Sequence, residues 1–147
     1  MVGVNFDRIH PQWACAGLNY YVAAKLAWNP LKPVEDIVND YCKKGFGTAA
    51  PAVKKYFTTL ERITDRVAAE RKKGEHISSV YTVADLRKLR PILARAKVLA
   101  GDDREVLARI AFLTEALDFA EVEVPVYRAI AQTRRPKLSQ AEMGSFR

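Results

Sequence analysis

The side chains of this chain that could carry chemistry are its 17 Asp and Glu, 2 His and 2 Cys residues. Acid–base catalysis by carboxyl groups requires two of them to converge on a cleft. The first 34 residues contain a single acid, Asp7, and most other acids fall on polar helix faces, at helix starts or beside Lys and Arg. Because acids are rarely buried without a partner, we interpret them, Glu115 and Asp118 included, as solvent-facing. The sequence predicts no catalytic residue.

Cysteine and histidine give no stronger signal. Cys15 follows His10 closely along the chain, but closeness in sequence says nothing about pairing in space. A metal site would need both histidines and both cysteines to meet, Cys42 and His76 included, and no short paired spacing favours this. We therefore predict no metal ion and no cofactor, and we interpret both cysteines as buried thiols.

The charge balance leaves one class of binding protein open. The net charge is +7, and cations cluster at 71–73, 87–97 and 134–137. On one face, such residues could neutralise the phosphates of a nucleic acid. The cations of the fourth predicted helix spread over more than one face, however, and acids interleave elsewhere. A basic helical nucleic-acid-binding module is therefore an alternative, and nucleic acid is not an expected partner.

The sequence shows no recognisable targeting signal. Its start, MVGVNFDRIHPQW, has neither the basic segment nor the apolar core of a signal peptide. No uncharged apolar run approaches the roughly 20 residues that span a bilayer. We expect a soluble chain with no membrane partner.

Hydrophobic spacing predicts helices along most of the chain, at 17–28, 33–44, 48–71, 82–100 and 102–124, with a short helical stretch resuming through 131. Thr48, Thr82 and Asp102 are the predicted N-caps. Pro91 is expected to kink or divide the fourth helix, and Pro125 to interrupt the fifth.

The predicted fold class is all-α: a five-helix bundle-like domain with no significant β-sheet. Short connections predict that helices two and three, and helices four and five, form antiparallel hairpins. We expect residues 1–16 to be an irregular N-terminal segment, residues 17–131 to be the helical domain, and residues 132–147 to be a frayed tail.

The first predicted helix is apolar nearly all the way round. One face consists of Leu18, Tyr21, Val22 and Leu26. Alanines and Trp28 cover most of the rest, and only Asn19 and Lys25 interrupt. A helix that is apolar on all sides must be buried on all sides, and four further helices can cover one or two of them. We therefore expect a partner for this helix, and we predict Tyr21 and Trp28 to be core aromatics.

The stretch WACAGLNYYVAAKLAWNP (13–30), followed by VEDIVNDYCKKGFGTAAPAVKKYF (34–57), closely resembles a bacterial family of unknown function similar to glycoside hydrolases of the α-glucuronidase kind. In that family a helical region follows a (β/α)-barrel catalytic domain. The pattern N-x-Y-x-x-x-[K/R]-L-x-W-[N/D]-P lies at the junction, and it is matched here by Asn19, Tyr21, Lys25, Leu26, Trp28, Asn29 and Pro30. The resemblance extends over residues 4–121, whereas family members are several times longer and include a barrel that this sequence lacks.

The resemblance implies a role without catalysis. It implies the helical C-terminal region of an α-glucuronidase-like carbohydrate-active protein, or a stand-alone homologue, that acts in packing and oligomerisation and bounds a sugar site. Trp13, Asn19 and Tyr20 are then the substrate-binding candidates, through stacking and hydrogen bonding, with packing against the barrel as the alternative. Expected partners are the barrel domain or a second copy of the chain, and a carbohydrate. The parent protein would be exported. A small glycoside hydrolase in its own right is disfavoured because no acid pair is available.

Overall fold

The computed structural model describes residues 13–133, apart from the side chains of Trp13 and Cys15. Within this range it contains five α-helices and no β-strand, so the predicted all-α class is confirmed. The helices are α1 (Trp13–Trp28), α2 (Val34–Phe46), α3 (Ala50–Glu70), α4 (Val83–Ala100) and α5 (Arg104–Thr133). Single 3-10 turns cover Gly47–Ala49 and Ile77–Ser79.

Two pairs of successive helices, α3 with α4 and α4 with α5, pack antiparallel, as contacts between them show. The hydroxyl of Thr48, just before α3, donates to the carbonyl of Leu99 at the end of α4. Toward the other end of this pair, Thr64 hydrogen-bonds with Tyr81. Arg90 in the first half of α4 reaches acids in the middle of α5. The predicted α4–α5 hairpin is thus confirmed, and α3 and α4 pair in the same way.

One apolar cluster holds α2, α3, α4 and α5 together. It contains Cys42, Phe46, Val53, Tyr56, Phe57, Ile63, Val67, Leu86, Leu89, Leu93, Ala96, Val106, Ile110, Leu113, Leu117 and Val124, all buried. The spacing of these residues within each helix is that of one helical face. On α5 hydrophobic spacing predicts a seam of Val106, Ile110, Leu113, Leu117, Ala120 and Val124, and all of these except the partly buried Ala120 are buried, so the seam is confirmed. From α1 only Leu18, itself partly buried, packs against the cluster.

Of the three predicted N-caps, the structure confirms one and contradicts two. Thr82 and Asp85 form the predicted capping box of α4. Thr48 does not cap α3, because it lies inside the 3-10 turn Gly47–Ala49 and the N-cap position falls on Ala49, which has no side-chain cap. Asp103, not Asp102, caps α5, since its Oδ1 accepts the backbone N–H groups of residues 105 and 106 at 3.1 and 3.0 Å.

Three predicted boundaries also differ. The first helix begins at residue 13, so residues 13–16 are helical and not irregular, while residues 1–12 lie outside the described range. The fourth and fifth helices each continue through their proline, and α5 reaches Thr133 without the expected interruption. Pro91 and Pro125 are both exposed, so water can hydrate the carbonyl groups that lose their N–H partner. Residues 134–147 of the predicted tail lie outside the described range.

Candidate functional site

The first helix is only partly covered by the described chain. It packs on α2 and α5, yet none of its described side chains is fully buried. Trp28 is 85% exposed, so its prediction as a core aromatic is wrong. As the last residue of α1 it stands where the chain turns toward α2, and Leu31 and Val34 beside this turn are exposed as well.

A charged group on α2 holds α1 in place. The hydroxyl of Tyr21 donates to Asp40 at 2.6 Å, and Lys44 binds the other oxygen of the same carboxylate at 2.8 Å. The hydrogen bonds from Lys44 and Tyr21 lower the pKa of Asp40 to about 2. Lys25 lies over the Tyr21 ring, 5.2 Å from its centroid. Tyr21 is therefore half-buried and engaged in a polar network, not enclosed in the core.

The three predicted substrate-binding residues all belong to α1. Asn19 is exposed, and Tyr20 is half-buried and has interactions of its own. Neighbouring residues of an α-helix point about 100° apart, so these two side chains face different directions. The side chain of Trp13 lies outside the description. Their role in sugar binding stays a prediction.

A second exposed apolar surface lies on α5, where the sequence analysis predicts none. Phe119, Val122, Val126 and Ile130, which we call the α5 stripe, are 63%, 69%, 51% and 38% exposed. Their spacing puts them on one side of the helix, roughly opposite the seam that enters the core. The same 3-4-4 spacing is visible in the sequence. It was overlooked because the core seam already accounted for this helix.

The α5 stripe is bordered by acids. Between Leu113 and Tyr127 the helix carries four Glu and Asp residues and no Lys or Arg. Asp118 is bound by Arg90 at 2.5 Å, and Glu123 accepts a hydrogen bond from Ser78. Glu115 is exposed one helical turn before the stripe. The stripe is thus an apolar strip with a negative rim.

The buried acid among the described residues, Asp85, takes a structural role. Asp85 is 4% exposed, and burial acts to raise its pKa. Hydrogen bonds from Thr82 and the charge of Arg66, which is 2.6 Å away, outweigh burial, so the net effect is a lowered pKa. This carboxylate caps α4 and ties it to α3.

The described side chains do not form a metal site. Among those of residues 13–133, which leave out Cys15, there is no group of three or more His, Cys, Asp or Glu placed to hold a metal ion. Cys42 is a buried free thiol, and burial raises its pKa to about 11. None of the helices in this range is both long and apolar enough to cross a membrane.

The cations of α4 lie on its solvent side, and part of their charge is used within the protein. Lys88 approaches Asp85 at 3.7 Å, and Arg90 binds both Asp118 and Glu121. These ion pairs reduce the positive potential available to a nucleic acid. Nucleic-acid binding nevertheless stays an untested alternative.

Comparison with known proteins gives a single match. Residues 1–58 match the model of a domain of unknown function, DUF4838. The matched part is less than half of the chain and covers α1, α2 and the beginning of α3. No curated protein and no solved structure matches significantly.

Proposed function

We propose that this chain is a non-catalytic helical domain that packs, through the α5 stripe, against the (β/α)-barrel domain of a larger carbohydrate-active protein of the α-glucuronidase-like kind. The α5 stripe carries the proposal. It presents large apolar side chains to solvent on a helix whose opposite side already lines the core. Contiguous exposed apolar surface of this kind marks an interaction site. The resemblance of residues 13–57 to the junction of such proteins supplies the barrel as partner.

The rim of the α5 stripe favours a different domain over a second copy of this chain. A two-fold dimer with its α5 helices side by side and parallel would bring the exposed Glu115, one turn before Phe119, toward its own copy. Like charges facing each other across an interface oppose association. The complementary surface is an apolar patch flanked by Lys or Arg, and a barrel domain can offer one without any symmetry requirement.

The ion pairs of the described acids support a role without catalysis. Asp40 and Asp85 are held ionised by cations and hydrogen bonds, with lowered pKa values. A general acid must instead keep its proton near neutral pH. In the proposed assembly the barrel supplies the catalytic acid and base, and α1, which carries Trp13, Asn19 and Tyr20, borders its sugar site.

The proposal is tested with the genomic DNA that flanks the coding sequence of this chain. We expect it to encode a (β/α)-barrel, which is then expressed as a separate domain and titrated with the full 147-residue chain. Val122→Asn should weaken binding at least about tenfold, as loss of a central apolar contact does. Val98→Asn on α4 is the matched control, because Val98 and Val122 are both 69% exposed.

Three results would overturn this function. The flanking DNA encodes no barrel, or the barrel does not bind the chain, or light scattering shows a dimer that Val122→Asn dissociates. A monomer that binds the barrel through Val122 and not through Val98 supports it.

A further inference from the structure

A pocket of about 370 Å³ opens where α1, α2 and α5 meet. Its lining combines the buried side chains of Phe46 and Leu113 with the partly exposed rings of Tyr21, Tyr41 and Phe112. The two tyrosine rings are inclined by 56° with centroids 5.3 Å apart. Such a surface favours a ligand with an apolar ring, which can stack on or pack edge-on against these aromatic groups.

Two cations, Lys44 and Arg109, complete the lining. Lys44 is bound to Asp40, which offsets its charge. Arg109 donates from Nη1 to the carbonyl of Gly45 at 3.0 Å and from Nη2 to Glu105 at 3.0 Å. The carbonyl contact joins α5 to α2 and fixes the guanidinium beside the pocket. A guanidinium has five N–H groups, so it keeps donors for a ligand.

The ion pair of Arg109 leaves it able to bind an anion. The Glu105 side chain is 81% exposed and that of Arg109 is 48% exposed. Exposed i,i+4 pairs of this kind are weak, because both charges stay hydrated. A ligand carboxylate held beside an apolar wall gains a stronger, less hydrated hydrogen bond from the same guanidinium.

Gly45 keeps the pocket open. It lies inside α2, and a Cβ atom built on it would meet no atom within 4 Å. Alanine at such a helical position is more stable than glycine. Gly47, two residues later, differs because its φ of 48° requires glycine. Neither conformation nor packing accounts for Gly45, whereas an open binding pocket does.

We propose that this pocket, the α1–α2–α5 pocket, binds a small organic anion in which a carboxylate is attached to an apolar ring. The carboxylate binds Arg109, and the ring packs against Tyr21 and Phe112. Tyr21 and Gly45 come from the region that matches DUF4838, and Arg109 comes from α5. This binding function is separate from the packing of the α5 stripe and does not depend on it.

The proposal is tested by titrating the ¹⁵N-labelled full chain with benzoate and following the Gly45 amide and the Arg109 Nε by NMR. We expect saturable shifts with a dissociation constant of roughly millimolar, as suits a ligand of so few atoms. Benzamide has the same ring without the charge, and acetate has the charge without the ring. Each should bind at least about tenfold more weakly, because benzamide has no charge to pair with Arg109 and acetate has no ring to pack against the aromatic side chains.

Variants separate the pocket from general surface charge. Gly45→Leu fills the pocket and should abolish saturable binding, and Gly45→Ala should weaken it while raising the melting temperature. Arg109→Gln should weaken benzoate binding about tenfold and leave benzamide unaffected. Arg104→Gln is the control, since Arg104 is an exposed cation of the same helix outside the lining.

The outcomes that overturn the proposal are distinct. Shifts that persist unchanged in both Gly45 variants would show that benzoate binds to surface cations and not in the pocket. Equal affinity for benzoate and benzamide would show an unspecific apolar cleft, and no saturable shift would show no site. None of these results bears on the barrel-binding experiment, which uses different residues.

Discussion

The hydroxyl of Tyr21 on α1 donates a 2.6 Å hydrogen bond to Asp40 on α2, while Lys44 binds the second oxygen of that carboxylate. Because no described side chain of α1 is fully buried, apolar packing within the described chain holds this helix less firmly than the others. The Tyr21–Asp40 contact is therefore expected to govern how often α1 separates from α2. Local opening of weakly packed elements precedes global unfolding in many proteins.

Removing the Tyr21 hydroxyl should loosen α1 alone. Tyr21→Phe keeps the ring and deletes the donor, so we expect faster amide exchange in α1 and unchanged exchange in α3 and α4. Hydrogen exchange with mass spectrometry measures both. Tyr127→Phe is the matched control, since Tyr127 stacks on His76 at the other end of the bundle. Unchanged exchange of α1 in Tyr21→Phe would contradict the role of this contact.

Acid should release α1 in a defined pH window. The pKa of Asp40 is about 2 in the folded chain, below its ordinary value of 3.8. A lowered folded pKa means that the contribution is complete above pH 4 and is lost as the pH falls toward 2. An NMR titration of the Asp40 carboxyl should give a midpoint near 2, shifted upward in Lys44→Ala. A wild-type midpoint at 3.8 would show that neither Lys44 nor Tyr21 perturbs the group.

The all-α class, the helices and the core seam of α5 could be predicted because apolar residues repeat at helical spacing. The capping box at Thr82 could be predicted because its two side chains are local. The exposure of Trp28 could not, since spacing identifies a face but not where the neighbouring helix begins. The α5 stripe was missed although its spacing is regular, because the same helix already had a face for the core.

Pro125 should measurably destabilise α5. It lies inside a continuous helix and is exposed, so it removes a backbone hydrogen bond without any packing in return. Pro125→Ala should raise the free energy of unfolding by up to about 3 kcal/mol, as measured by urea titration. Pro33→Ala is the control: Pro33 is the N-cap of α2, where no intrahelical N–H bond is lost. An equal gain in the free energy of unfolding from both variants would mean that the gain does not come from restoring a hydrogen bond within α5.

Replacing Asp85 should lower the stability of the fold more than replacing an exposed acid. Its carboxylate accepts from Thr82 and from Arg66 and is buried. Asp85→Asn keeps the shape and loses the charge, so we expect a loss of about 1–3 kcal/mol at neutral pH. The pKa of Asp85 is lowered in the folded state, so this difference should shrink as acid protonates the wild-type carboxyl. Asp118→Asn, in an exposed pair with Arg90, should cost less than about 1 kcal/mol. Equal losses from the two variants would contradict this ranking.

Cys42 should report the opening of α2 and the core. It is 2% exposed, and burial raises its pKa to about 11, so at pH 8 only about one thiol in a thousand is ionised. In a Cys15→Ser background, Ellman's reagent should therefore react slowly with the native chain and rapidly in denaturant. Because Cys42 belongs to the core cluster of α2–α5, and the charges that act on its thiol, Lys54 and Glu35, lie on α3 and α2, Tyr21→Phe should speed amide exchange in α1 without speeding this labelling. Joint acceleration of both would show that α1 and α2 open as one unit, and the separate opening of α1 would then be wrong.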